Sequence, residues 1–185
     1  MKRSVGGVVA LLLLTEAIAV VAQGSRLIGQ GVETYQSASI DARGNIVITT
    51  ADQRTIVVPR EGEQRSFSTP VISAAGTAVG AQAMFANCCT SYDIPRQLVI
   101  YADGRAHRFR GVFPIFKWHF ADDGSQVAFG QEPVHSGCAV LYELRKIRSE
   151  RLIASADIPT PCGQIQNPPA VQIPQWVKDL LADLK

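Results

Sequence analysis

The sequence predicts an all-β protein made of consecutive four-stranded antiparallel meanders, followed by a short C-terminal amphipathic helix. Three observations lead there. Short runs of alternating apolar and polar residues recur along the middle of the chain, among them Asn45–Thr50, Gln97–Tyr101 and Ser125–Gly130, with the period of a half-buried strand. Turn residues, mostly Gly, Asp and Pro, punctuate them at short intervals. One arrangement also occurs three times: an apolar residue stands four positions before a glycine, and a β-type run follows. The pairs are Ile40 and Gly44, Ile72 and Gly76, and Phe120 and Gly124.

In chain order, residues 1–22 read as a secretory signal peptide. Lys2 and Arg3 precede an apolar run from Val5 to Leu14, and the small residues Ala17, Ala19 and Ala22 offer cleavage after Ala19 or Ala22. An uncleaved anchor is the alternative, because Val5–Ala22 is near the lower length for crossing a bilayer; Glu16 and the cleavage sites favour removal, leaving no stable membrane span. The expected location is therefore exported, in a bacterial periplasm or secreted. The chain carries 18 Lys and Arg against 16 Asp and Glu, a net charge of +2, and losing Lys2, Arg3 and Glu16 lowers it by one. Such balance argues against a nucleic-acid partner.

Residues 23–34 lead into the β domain, residues 35–158. In each unit the glycine supplies the positive φ of a tight hairpin. The first unit then runs Asn45–Thr50, Arg54–Val58 and Gln64–Ser68. The second runs Thr77–Phe85, Gln97–Tyr101 and, after the Asp103-Gly104 turn, Arg105–Arg110. The third runs Ser125–Gly130, Cys138–Leu144 and Arg151–Ser155. Four-stranded meanders in series are the blades of a β-propeller.

The apolar residue, the Asp/Gly hairpin of "ADDGSQVAF" and the following strand "CAVLYELR" together resemble the TolB-type β-propeller repeat of exported bacterial proteins, WD-like in layout. The resemblance covers about Tyr35–Ile158 and implies an architecture without naming an activity. The first two units lack the Asp-Gly turn, and three units fall short of the about four to eight of closed propellers. An open arc, completion by assembly, or an antiparallel sandwich stay open.

All four cysteines, Cys88, Cys89, Cys138 and Cys162, lie in the exported part, where two disulfides are expected. The blade assignment puts them on one loop face, and each bridge would stabilise by about 2 to 4 kcal/mol. Tyr92, Asp93, Glu132 and His135 share that face as a candidate binding surface. A strained Cys88–Cys89 ring or a metal held by these cysteines with His135, three residues before Cys138, are functional alternatives, set behind structural bridges.

"KWHFADDG" gathers Lys117, His119, Asp122 and Asp123. Proton transfer is conceivable there, but alternation sets Trp118 and Phe120 on one face and His119 on the other, and the turn accounts for the aspartates. Two basic stretches, Arg105–Gly111 and Leu144–Leu152, read as solvated edge strands whose charges discourage aggregation. No nucleophile elbow, phosphate loop, zinc motif or calcium loop occurs, so no catalytic residue, metal or cofactor is assigned.

After a Pro-rich linker, residues 159–173, residues 174–185 form the helix: Pro174 suits its first turn, and Trp176, Val177, Leu180, Leu181 and Leu184 share a face. So short a helix must pack on something, either its own sheet or a partner. The expected function is a non-catalytic binding or scaffolding protein. Its partner would be another protein or a second copy, held through the helix or an open blade edge. The alternative is an exported hydrolase or thiol redox protein with its site in the cysteine-rich loops.

Overall fold

The computed structural model describes residues 32–88, 91–134, 139–159 and 172–182. Among the described residues, twelve strands form three antiparallel sheets, and one α-helix follows. The first sheet contains β1 (Tyr35–Ile40), β2 (Ile46–Thr50) and β3 (Thr55–Val58) in that order. The second contains β4 (Gln64–Phe67), β5 (Val71–Ile72), β6 (Ala78–Ala86), β7 (Asp93–Ala102) and β8 (Arg105–Arg110); β4 and β5 both pair with β6. Pro70 stands between them, where a missing N–H interrupts the ladder. The third sheet runs β9 (Ile115–Ala121), β10 (Gln126–Gln131), β11 (Ala139–Lys146) and β12 (Leu152–Pro159).

The sheets stack face to face. Alternation turns Ile46 and Ile48 of β2 toward the second sheet, where they meet Phe67, Val79, Ala81 and Val99. The opposite face of the second sheet presents Leu98, Ile100 and Phe109 to Ile115, Val127 and Phe129 of the third. Gly80 is required by this second interface: a Cβ there would lie 2.5 Å from the Trp118 indole. Trp118 and Phe120 meet edge to face at 5.2 Å, on one side of β9 as their spacing requires.

Helix α1 (Gln175–Ala182) covers the far side of the third sheet. Val177 and Leu180 are fully buried against Ala128, Val140 and Tyr142, with Trp176 and Leu181 partly covered beside them. Its apolar face is thus engaged within the chain.

Three sequence assignments change. Gln64–Ser68, expected as the last strand of the first unit, instead opens the second sheet as β4. Alternation marks a strand without saying which neighbour it pairs with, and the Glu61–Gln64 turn, with Gly62 at φ +50°, carries the chain across. The three repeat glycines have positive φ, as expected, at +79°, +70° and +91°, but Gly44 is not equivalent to the others. A Cβ on Gly124 would sit 2.6 Å from Ser73, and Tyr35 N–H donates to the Gly76 carbonyl at 2.7 Å, so those two turns share one end of the stack. Gly44 packs at the other end, against Arg60 and the Arg65 carbonyl. Finally, Leu144–Leu152 is no edge strand: it leaves β11, turns and enters β12, with Ile147 buried in the core.

Candidate functional site

At the end of the stack marked by Gly76 and Gly124, turns of the second and third sheets and the segment leading into β1 converge around a groove of about 1130 Å³. Its rim carries Glu33, Asp103, Asp122, Asp123, Lys146 and Arg148. The chain geometry there is set by local turn chemistry. Asp103, Asp122 and Asp123 have φ of +52°, +50° and +52°, and Gly104 and Gly124 continue the left-handed run; Asp tolerates that region better than most residues.

Most rim charges are held by specific partners. Arg148 grips Asp103 with two bonds, Nε to Oδ2 at 2.9 Å and Nη2 to Oδ1 at 2.6 Å, the fork geometry that suits guanidinium to carboxylate. That pair joins the turn after β7 to the turn after β11, and its hydrogen bonds hold the Asp103 carboxyl below the usual carboxylate range. Arg105 donates to the Arg148 carbonyl at 2.8 Å. Asp122 accepts from Ser125 Oγ at 2.6 Å and Gln126 Nε2 at 2.9 Å, which lowers its pKa. Glu33 accepts from Arg54 at 2.8 Å and from the Tyr35 hydroxyl at 3.1 Å. Burial first, and the Glu33 charge second, push the Tyr35 phenol up.

Below this rim, His107 of β8 is fully buried, with Nδ1 3.2 Å from Glu150 on the turn after β11. On its other side the Asp122–Gly124 turn borders a second, smaller cavity of about 350 Å³, closed by Trp176 and Asp179 of α1 and reached by His119. Phe120 lines the same cavity.

The loop face singled out by the cysteines lies at the opposite end. Cys88 is exposed just beyond β6. Cys89, His135, Cys138, Cys162 and Leu184 lie outside the described residues, so the expected disulfides and the Cys138–His135 metal alternative do too. Tyr92 is exposed; Asp93 pairs with Arg65 at 3.2 Å; the Glu132 N–H donates to the Pro114 carbonyl at 3.1 Å. Adjacent to them, fully buried Gln131 accepts from the Val112 N–H at 2.6 Å and fixes the connection between β8 and β9. The sequence gives little warning of Gln131, a lone amide at the end of an apolar run. Among the described residues no cluster of three or more His, Cys, Asp or Glu is placed to hold a metal ion.

Fold and site together define a mostly β protein of three stacked antiparallel sheets capped by one short helix, with a charged groove at one end. No family model matches the chain, and no curated protein does. Among solved structures it is similar to Kuenenia stuttgartiensis hydrazine synthase, at 14% identity and a TM-score of 0.39, over 70% of this chain and 35% of that one.

Proposed function

We propose that this is an exported, non-catalytic binding protein, a propeller-like arc of three blades whose ligand sits in the groove at the Gly76 and Gly124 end. The observation that carries this reading is the state of the rim: Glu33, Asp103 and Asp122 are each engaged by structural partners within the protein. Carboxylates so committed position a surface. A general acid and base need a free proton-bearing pair within reach of a substrate. The remaining charged tips, Asp123 and Lys146, have opposite signs, which suits selective recognition of a polar surface.

Photo-crosslinking side chains at Asp123 and Lys146 of the exported protein, with Thr55 on the first sheet as control, test this. Adducts are expected at the groove positions and not at Thr55. Equal labelling at all three, or adducts confined to probes at Tyr92 and Glu132, would overturn it.

A further inference from the structure

The connection from β8 into β9 leaves apolar side chains in water. Val112 is 78% exposed, Phe113 39% and Phe116 41%, and these two are the exposed phenylalanines among the described residues. Exposed apolar residues scattered singly are ordinary, but a cluster of them marks a contact surface. We propose that this tip docks on an anionic lipid surface, with its apolar side chains entering the headgroup layer and the cations around it meeting lipid phosphates. The proposal is independent of the groove. Strand β8 leaves the groove rim at Gly104 and β9 returns to it at Asp122, so the tip lies at the other end of the sheets.

The exposure is built into the backbone. Gly130 stands opposite Lys117 and Gln131 opposite Ile115, so Phe116 is the extra residue of a bulge, a device that re-aims a side chain. Ile115 beside it is fully buried. Gln131 holds the turn, accepting from the N–H groups of Val112 at 2.6 Å and Phe113 at 3.4 Å, while its own Nε2 is buried without a partner. An unpaired buried polar atom costs stability and asks for a reason. Gly111 is fitted as closely: a Cβ there would lie 2.4 Å from the Phe113 carbonyl oxygen and 2.6 Å from Gln131 Oε1. A bulge, a glycine and a buried amide thus hold the tip where its apolar side chains face solvent.

Charge selects the partner. Arg110 and Lys117 flank the tip, and Arg96 precedes Gln97, which stands opposite Arg110; all three are exposed. Among the described residues none of them forms an ion pair, whereas the neighbouring Arg65 and Arg108 are tied to Asp93 and Glu61. Glu132, whose N–H donates to the Pro114 carbonyl, is the carboxylate joined to the tip, which leaves three cations against one anion. Long cationic side chains reach from an apolar contact to lipid phosphates, and that attraction adds to apolar insertion. A standard protein interface uses roughly 20 to 30 residues a side; a small apolar peg ringed by cations suits a surface that deforms around it.

Co-sedimentation of the full exported chain with vesicles of phosphatidylglycerol and phosphatidylcholine tests this, with urea midpoints reporting that each variant is folded. Phe113→Ser/Phe116→Ser should weaken binding roughly tenfold or more, and Lys117→Gln roughly fivefold. Val57→Ser, at an exposed site on the first sheet, should leave it unchanged. Should the double variant fail to fold, Val112→Asp at the most exposed position decides, with the same loss expected. A parent that does not bind the vesicles, or binding undiminished by the tip variants, would overturn the proposal. So would equal binding to pure phosphatidylcholine, which would remove the cations from the contact. Self-association that the tip variants abolish, without vesicle binding, would assign the tip to a second copy instead.

Discussion

Replacing Gly80 by alanine adds one methyl group where β6 of the second sheet meets Trp118 and Phe120 of the third. The new Cβ would lie 2.5 Å and 2.8 Å from two atoms of the Trp118 indole and 3.2 Å from the Phe120 ring, so the aromatic pair or the sheet spacing must give. Overpacking of this kind costs about 1 to 3 kcal/mol. The loss of glycine's backbone freedom works the other way, by about 0.5 to 1 kcal/mol. Taken at their midpoints, the two terms leave a net destabilisation of about 1 kcal/mol, read as a lower urea midpoint at unchanged slope. Trp118→Phe removes the two nearest atoms, so in the double variant the penalty of Gly80→Ala should fall by more than half. A Gly80→Ala protein as stable as the parent, or additive effects in the double variant, would refute the close approach of β6 and β9.

Leu180→Ala should cost about 2 to 5 kcal/mol, since Leu180 is fully buried between α1 and the third sheet; denaturant unfolding measures it, and a neutral effect would mean the helix does not dock there. Gln131→Met should cost about 0.5 to 1.5 kcal/mol by removing the acceptor of the Val112 N–H, visible in the same assay. The depressed carboxyls of Asp103 and Asp122 favour the folded state fully above the unfolded carboxylate pKa of about 3.9. That contribution is lost as pH falls through their lower folded values. Asp103→Asn should therefore flatten the acid side of a thermal-stability profile below about pH 4, and an unchanged profile would remove the Arg148 pair from the explanation.

Strands and glycine turns were legible because both are local: alternation and positive φ are written within a few residues, as at Ile46–Thr50 and Gly124. The amphipathic helix was legible for the same reason. Partner choice was not, because it depends on which faces meet after collapse. Gln64–Phe67 follows the first meander in sequence yet pairs with β6, and the Gly44 turn resembles those of Gly76 and Gly124 while sitting at the other end of the stack. The groove was hidden for a related reason. Asp103 and Arg148 lie 45 positions apart and come together only when the second and third sheets stack. Read along the chain, Asp103 belonged to a turn and Arg148 to a charged edge.

The most direct test of the stacking is a set of interproton contacts among the glycine turns in a nuclear Overhauser spectrum of the labelled protein. Contacts between Gly124 and Ser73, and between Gly76 and Tyr35, together with Gly44 against Arg60, are the expected result. Contacts from Gly44 to the Gly76 or Gly124 turn would contradict the arrangement, for they would place all three hairpins at one end.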